Sequence, residues 1–295
     1  MTADMVKSSP TPRAISFITY AGEPSISIDD IPLAQELEKR GVAAYPCPWD
    51  LPADSSIETN AYLMRSAWNY DRAPDTFLLW LKDLEKNGKT LINSQRLIRW
   101  NISKRYLLEV ERYRLEIPKT RIFIPRDVDP RSLISDFAGS ETVVVKPCIS
   151  LSANNTFLVR KAELHHTIAT LLNPEREYLV QEFLPEITGG ELSFVFFDGR
   201  YSHCIIKKPK QGDFRVQADH GASRAKYQPA ARQIEDALGF LKTAPEVPTY
   251  ARIDVVLREE RMILMEIELI DPVLFLKWEP ESAVRFADAI TRLCA

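Results

Sequence analysis

The chain has 295 residues, of which 45% are hydrophobic and 27% charged, a composition typical of a folded globular protein and not of a disordered one. The formal net charge of −3 argues against non-specific binding to nucleic acid. No apolar run reaches the roughly 18 residues that a membrane-spanning helix requires, so no membrane partner is expected either.

The cysteines and glycines exclude several kinds of site. Cys47, Cys148, Cys204 and Cys294 are far apart and lack the spacing of a zinc site, which favours a reducing, cytoplasmic compartment. The ten glycines contain no G-x-G-x-x-G, so nothing supports a dinucleotide-binding site. Residues 1–14 have no apolar segment and are predicted to be a flexible leader.

The first hundred residues alternate strands with helices. Gly41 and Gly88 each follow a helical pattern at the position where glycine commonly ends a helix. This βαβ order predicts a small parallel sheet flanked by helices. The predicted elements are a strand at 14–20, a helix at 30–40, a strand at 42–45, a helix at 77–86 and a strand at 90–92.

The rest of the chain is richer in antiparallel strands. It begins with a helix predicted over 102–113 and ends with a hairpin and a helix. The fold class is therefore α/β, with an α+β arrangement in the C-terminal half. The other predicted strands are 120–124, 142–146, 156–160, 178–183, 192–197, 201–207, 251–257 and 262–269, and the other helices are 130–137, 161–172, 230–241 and 281–293.

The hairpin ARIDVVLREERMILMEIELIDP is the most informative segment. Alternation along a strand puts Glu266 and Glu268 on one face, and pairing around the turn brings Asp254 opposite Glu266. Acids on apolar strands are costly to bury unless a cation offsets them, and oxygen ligands suit magnesium. The alternative is a solvated sheet face that merely carries acids.

Two lysines and one extended segment accompany the hairpin. Lys146 ends the apolar strand VVVKP, where its charge could bind a phosphate, and Lys104 lies on the helix predicted over 102–113. Most strand-end lysines are simply solvated, so Lys146 alone is a weak indication. The segment YLVQEFLP, residues 178–185, could offer backbone groups to the edge of an adenine.

This order of features resembles the ATP-grasp superfamily of ligases. Within it the chain is most similar to the prokaryotic glutathione-synthetase-like group, and there to D-cycloserine synthetase-type proteins. The resemblance extends from about residue 15 to residue 293. The segments that carry it are RSAWNY at 65–70, IRWNISKRYL at 98–107, VFFDGRYSH at 195–203, GDFRVQ at 212–217 and DHG at 219–221.

The resemblance implies an ATP-grasp fold and a role for each matching residue. The fold would comprise an N-terminal pre-ATP-grasp domain at 15–97, a central lid subdomain at 98–176 and a C-terminal antiparallel-sheet subdomain at 177–295. The resemblance assigns Lys104 and Lys146 to the ATP phosphates, Gln181, Glu182, Phe183 and Leu184 to adenine, Glu191 to ribose, Asp254, Glu266 and Glu268 to magnesium (or manganese), and Arg215 and Arg252 to catalysis at the transferred phosphate.

The substrate pocket is expected near the end of a strand in the first domain. Arg65 could hold a carboxylate, and Trp68 and Tyr70 could form walls, although both aromatic residues could equally belong to the core. The substrate residues expected from position and resemblance are Arg65, Ser66, Trp68, Tyr70, Gln217 and His220, with Asp219 orienting His220.

The implied activity is ATP- and magnesium-dependent ligation of a small, amino-acid-like carboxylic acid to an amine through an acylphosphate, including ring closure within one molecule. The alternatives are an inactive nucleotide-binding protein and a kinase that releases a phosphorylated product. A homodimer is plausible because relatives often pair. One departure concerns the phosphate-covering loop at 148–156, which is often glycine-rich but here contains bulky Leu151 and no glycine.

Overall fold

The structure, a computed structural model, describes residues 14–52, 59–217 and 220–293. Nearly all of the predicted leader, together with Asp219 and Cys294, lies outside these residues. Three sheets organise the described chain, in the strand orders β2-β1-β3-β4, β5-β8-β6-β7 and β11-β10-β9-β12-β13. The mixed α/β architecture confirms the predicted fold class. No helix in the described ranges is long and apolar enough to span a bilayer.

The first sheet is parallel throughout, which confirms the βαβ prediction. Gly41 follows the first helix with φ +75°, a conformation that glycine adopts without the strain of a side chain. The short strand after residue 60 was not among the predicted elements. The bounds are β1 Ala14–Thr19, α1 Ile31–Lys39, β2 Ala43–Pro48, β3 Ala61–Met64, α2 Pro74–Lys86 and β4 Thr90–Ile92.

The helix predicted over 102–113 is wrong at its start. Two helices, α3 Gln95–Asn101 and α4 Tyr106–Arg112, are separated by a turn that contains Lys104. The Asn101 side chain bonds the backbone of the hairpin, and the Lys104 N–H donates to the Cys148 carbonyl at 2.8 Å. These tertiary bonds replace the helical ones, so Lys104 lies on a turn and not on a helix.

The second sheet is antiparallel and carries helices on one face. Val143 and Val145 pack beneath those helices, so that Val144 and Lys146 face the opposite side. The strand β8 pairs with β5 and β6 in this sheet, although the C-terminal subdomain was predicted to begin at residue 177. The bounds are β5 Thr120–Phe123, α5 Pro130–Asp136, β6 Thr142–Pro147, β7 Phe157–Arg160, α6 Leu164–Leu171 and β8 Tyr178–Glu182.

The third sheet is antiparallel and contains the predicted hairpin. Its edge strand β11 was not predicted, because SRAKY has little hydrophobic alternation. The sheet packs on α3, α4 and α7 on one side and, through Phe197 and Tyr250, on α8 and the first sheet on the other. The bounds are β9 Glu191–Phe197, β10 Arg200–Lys208, β11 Ser223–Tyr227, α7 Ala231–Leu241, β12 Tyr250–Arg258, β13 Arg261–Glu268 and α8 Glu281–Leu293.

Candidate active site

A cleft of about 470 Å³ lies where the three sheets meet. The second sheet contributes Lys146 and the third contributes Glu191 and Arg252, while Trp68 comes from the segment that follows β3 of the first sheet. The cleft therefore collects residues that are far apart in the sequence, as a site for two or more reactants requires.

The carboxylate hairpin forms one wall of this cleft. Asp254 pairs with Glu266 across the strands and Arg252 pairs with Glu268, which confirms the predicted register and places all four side chains on one face. The register shifts immediately after Asp254, which indicates a bulge. The bulge separates the part of the hairpin that carries the acids from the part next to the turn.

Each hairpin carboxylate is paired with a cation. Arg252 bonds Asp254 at 2.8 Å and also contacts Glu268, while the Lys104 ammonium lies 3.0 Å from Glu266. Consequently the three carboxylates share a face but do not converge: within the described residues no group of three His, Cys, Asp or Glu side chains is arranged to hold a metal ion.

The electrostatics nevertheless fit a further cation. Burial raises the pKa of Glu268 to about 8, and the nearby Glu266 and Asp254 carboxylates add to the effect against the attraction of Arg252. Burial would also raise the pKa of Asp254, but Arg252 and Lys207 outweigh it and hold that pKa well below its usual range. The oxygen donors, together with a Glu268 carboxylate whose charge the protein itself compensates poorly, therefore suit a hard divalent cation such as magnesium.

A second buried network adjoins the hairpin. Lys207 lies 2.5 Å from Glu191 and 3.0 Å from Asp254, and Ser193 donates to the same aspartate at 2.6 Å. Burial raises the pKa of Glu191 to about 6 in spite of the lysine. Lys207 was not identified from the sequence, although its position two residues after buried Ile205 places it on the inward face of β10.

The two predicted phosphate lysines face the same space. Lys104 donates to the Ser150 carbonyl at 3.0 Å as well as approaching Glu266. Lys146 lines the cleft without a hydrogen bond or ion pair to any described residue. Burial lowers the pKa of Lys146, and this unpartnered ammonium is suited to an anionic ligand.

The predicted adenine segment connects the second sheet to the third. All four residues line the cleft, and Gln181 donates from its side-chain amide to Thr120 at 2.8 Å. Leu184 is buried against Ile187 and Val256 beneath the connection. The segment thus presents an apolar surface beside an extended backbone, which suits the edge and face of a flat ring. Its members are Gln181, Glu182, Phe183 and Leu184.

The loop at 148–156 is ordered without glycine. Ser152, Ala153 and Asn155 all adopt positive φ values, between +49° and +56°. Leu151 packs partly into the core beneath the first sheet and also lines the cleft. The bulky side chain therefore anchors the loop at the cleft.

The predicted substrate residues divide into two groups. Trp68, Tyr70, Gln217 and the catalytic candidate Arg215 line the cleft, with Arg215 paired to Asp213 at 2.8 Å. His220 is not among the residues of the cleft wall, within the part of the chain that the structure describes.

Arg65 and Ser66 lie behind the cleft wall. Arg65 is only 2% exposed and bonds Asp30 at 2.7 Å and the Pro272 carbonyl at 2.9 Å. The expectation that Arg65 could hold a substrate carboxylate is therefore not supported by its position, because the guanidinium is turned into the protein. Ser66 is likewise buried.

Several cleft residues were missed by sequence reasoning. Asp29, Arg224, Asp271 and Phe275 all line the cleft, and the Arg224 and Arg252 guanidinium carbons lie 5.3 Å and 5.6 Å from the Phe275 ring centre. One feature of the sequence could have indicated Asp271. It is a charged residue directly after the apolar end of the hairpin, where a charged side chain is unusual.

Comparison with protein families assigns both parts of the chain. Residues 109–273 match the family model of the prokaryotic glutathione synthetase ATP-grasp domain, and residues 15–93 match that of the N-terminal domain of the D-cycloserine synthetase DcsG. The first match alone spans more than half of the chain.

Individual relatives agree with this assignment. The cycloserine biosynthesis protein DcsG of Streptomyces lavendulae is 26% identical over 94% of this chain and 97% of its own length. The crystal structure of D-cycloserine synthetase DcsG superposes with a TM-score of 0.82 at 24% identity, covering 96% of this chain and all of that one. A D-alanine–D-alanine ligase from Bacillus anthracis, crystallised with ATP, gives a TM-score of 0.68 at 16% identity, over 95% and 97% of the two chains.

Proposed function

Because this chain belongs to the family of the prokaryotic glutathione synthetase ATP-grasp domain, and is an ATP-dependent carbon–nitrogen ligase, we propose the substrates and course of its reaction. It joins a small, amino-acid-like carboxylic acid to an amine through an acylphosphate, with magnesium as the divalent cation. The amine belongs to a second molecule or to the same one, in which case a ring closes. The similarity to a D-cycloserine synthetase makes ring closure the first case to examine.

The observation that carries this proposal is the concentration of cations around one cleft. Lys104, Lys146, Lys207 and Arg252 all line it, and two of them are held in place by buried carboxylates. Phosphoryl transfer requires reactants to be positioned and phosphate charge to be offset, with little further chemistry from the protein. This arrangement supplies both.

The reaction has two steps. In the first, a carboxylate oxygen of the substrate attacks the γ-phosphorus of ATP; the new P–O bond replaces the bond to the β–γ bridging oxygen, and ADP leaves. In the second, the amine nitrogen attacks the acyl carbon, the acyl C–O bond breaks, and phosphate leaves as the nitrogen loses a proton. Lys146 and Arg252 offset the charge on the transferred group, and the 181–184 segment holds the adenine.

The metal ligands in this proposal are Asp254, Glu266 and Glu268. Magnesium, or manganese in its place, supplies positive charge beside the phosphates when it is bound. Arg252 and Lys104 form ion pairs with two of these carboxylates, which is consistent with a preference of the hairpin for positive charge.

Thermal unfolding with and without MgATP tests the nucleotide site. Ligand at about 100 times its dissociation constant adds about 2.7 kcal/mol to the free energy of unfolding, which is a rise of several degrees for a protein of this size. Lys146→Ala should abolish that rise, whereas Lys82→Ala, at an exposed position on α2, should leave it unchanged. An equal shift in all three proteins would contradict the assignment of Lys146.

Release of ADP distinguishes a ligase from a kinase. Paired acids and amines are supplied with MgATP, and molecules that carry both groups are supplied alone. We expect ADP release with an acid and an amine together, accompanied by an amide or a cyclic product. ADP release with the acid alone, accompanied by a stable phosphorylated product, would instead identify a kinase.

A further inference from the structure

Phe275 has a backbone conformation that is unusual for a bulky residue. It lies in the left-handed region, with φ +55° and ψ +35°, although its side chain is buried. A phenylalanine in this region is strained, and such strain persists only where the surrounding structure enforces it, which is common at functional sites. Phe275 also lines the cleft, and the reaction proposed above gives it no role.

The residue before Phe275 is held by side chains from distant parts of the chain. The Leu274 N–H donates to Asp29 at 3.1 Å, and the Leu274 carbonyl accepts from His203 Nε2 at 3.0 Å. Asp29 precedes α1 and His203 lies on β10, so two separate elements fix this peptide. The fold therefore imposes the left-handed conformation at Phe275 and sets the direction of its ring.

The ring of Phe275 lies against two arginine side chains. The guanidinium carbons of Arg224 and Arg252 lie over the ring, 5.3 Å and 5.6 Å from its centre. Both are within the roughly 6 Å at which a guanidinium is attracted to the face of an aromatic ring, and removal from water strengthens this attraction. Apolar packing alone does not require two cations at one ring, so the ring also supports charged side chains.

Most N–H donors of Arg252 are bonded within the protein. Nε and Nη2 donate to Asp254 at 3.0 Å and 2.8 Å, Nη2 also contacts Glu268, and Nη1 donates to the Val273 carbonyl at 3.0 Å. A guanidinium has five N–H donors, so one N–H of Nη1 remains, with no acceptor among the residues that the structure describes. The position of the guanidinium decides where this donor points.

Two partners of Arg252 are carboxylates that the proposed function assigns to magnesium. Asp254 and Glu268 accept less strongly from a guanidinium when their oxygens also bind a cation, because the two positive charges compete for the same lone pairs. The Phe275 ring is no metal ligand, so its contact with Arg252 is unaffected. The ring and the Val273 carbonyl are therefore the restraints on Arg252 that remain when MgATP is bound.

We propose that Phe275 is a positioning residue that keeps the Arg252 guanidinium directed at the transferred phosphate. This inference rests on the proposed function, which places Arg252 at that phosphate. The strained backbone at Phe275 sets the position of the ring, and the ring sets the position of the guanidinium. Phe275 acts through Arg252 and forms no bond of its own to the phosphate.

The affinity contributed by the γ-phosphate tests this role. Titration calorimetry compares MgADP with the magnesium complex of the non-hydrolysable ATP analogue AMP-PNP. A ring-trifluorinated phenylalanine, incorporated at position 275, nearly keeps the shape of the ring and withdraws negative charge from its face. We expect AMP-PNP to bind about three- to tenfold more weakly to this protein, and MgADP to bind unchanged, because only the attraction between ring and guanidinium is lost.

Matched substitutions separate the ring face from core packing. The same trifluorinated residue in place of buried Phe240 on α7 should change neither affinity. Phe275→Leu removes the ring and should weaken AMP-PNP at least as much as trifluorination does. In Arg252→Gln, which lacks the cation, trifluorination at position 275 should change AMP-PNP affinity by about twofold or less, because the two side chains act as one unit.

Four results would overturn the proposal. The first is an unchanged AMP-PNP affinity after trifluorination at position 275. The second is an equal loss of affinity for both nucleotides, which a merely structural role would produce. The third is a loss of the same size in the Arg252→Gln background, and the fourth is a wild type that binds AMP-PNP no more tightly than MgADP.

Failure of this proposal and failure of the proposed function give different results. If trifluorination at position 275 lowers the wild-type preference for AMP-PNP, both the nucleotide site and the role of Phe275 are supported. If the wild type binds both nucleotides and trifluorination changes nothing, Phe275 has only a structural role and the proposed ligase stands. If the wild type binds neither nucleotide and shows no thermal shift with MgATP, the proposed function fails and this inference fails with it.

Discussion

Lys207 is a buried cation that pairs with both Glu191 and Asp254. Its ammonium contacts the two carboxylates at 2.5 Å and 3.0 Å, and all three side chains are almost wholly removed from solvent. A buried ion network of this kind adds little net stability as a whole, but removal of Lys207 leaves Glu191 without its ion-pair partner, while Asp254 keeps its pair with Arg252.

Replacement of Lys207 by methionine should therefore destabilise the protein by about 3–5 kcal/mol. The adjacent Lys208 is exposed, so Lys208→Met should change the free energy of unfolding by about 0.5 kcal/mol or less. Urea unfolding at pH 7.5 measures both. A loss in Lys207→Met no larger than that in Lys208→Met would show that Glu191 does not need the lysine and would contradict this prediction.

Two glycines in or next to helices differ in backbone conformation. Gly41 ends α1 with φ +75°, whereas Gly239 lies inside α7 with ordinary helical geometry. A Cβ atom at either position meets no heavy atom within 4 Å, so steric contact does not distinguish them. The difference between the two sites is one of backbone conformation alone.

The same substitution should therefore have opposite signs at the two sites. Gly41→Ala forces alanine into the left-handed region and should destabilise by about 1 kcal/mol. Gly239→Ala removes the conformational entropy that glycine adds to the unfolded chain and should stabilise by about 0.5–1 kcal/mol. Chemical denaturation of each variant checks the signs, and two changes in the same direction would contradict this explanation.

Local patterns account for the elements that the sequence predicted well. The hairpin register follows from two alternating strands around a polar turn, so the pairing of Asp254 with Glu266 could be predicted from the sequence. The break at Lys104 could not, because it arises from bonds of Asn101 and Lys104 to residues more than 40 positions away. Tertiary contacts override helical propensity at such a point.

Site residues that belong to a local sequence motif could be predicted. Site residues that only the folded chain brings together could not. Lys146 and Glu268 belong to recognisable strand ends, and their roles stay predictions, whereas the family match confirms the family to which the chain belongs. Asp29 meets Leu274 across 245 residues, and Lys207 reaches Asp254 across 47, so no local pattern indicates either contact. The part of the cleft wall that contains Asp29 depends on contacts of this second kind.

At the scale of the whole molecule, the cleft gathers carboxyl groups that resist ionisation. Burial raises the pKa of Asp271 to about 7 and that of Glu268 to about 8, from ordinary values near 4. Buried His203 acts in the opposite direction, because burial lowers its pKa to about 4. That histidine affects stability only below about pH 6.5, where the unfolded chain becomes protonated at this position.

Above pH 6.5 the two carboxyl groups should therefore dominate the pH dependence among these three. The folded protein retains their protons where the unfolded chain has lost them, so the free energy of unfolding falls as pH rises and levels off beyond about pH 9. We expect a loss of about 2–3 kcal/mol between pH 6.5 and 8 without ligands. Urea unfolding across this range measures it.

Substitutions and ligands should change this decrease of the free energy of unfolding with pH. Glu268→Gln removes the group with the higher pKa and should flatten most of the decline, whereas Glu235→Gln, at an exposed position on α7, should leave it intact. A cation bound with ATP favours ionised Glu268, so MgATP should also flatten the decline. Stability that is constant or rises from pH 6.5 to 8 in the ligand-free protein would mean that the cleft carboxyls are compensated, and the case for a cation at the hairpin would lose its electrostatic basis.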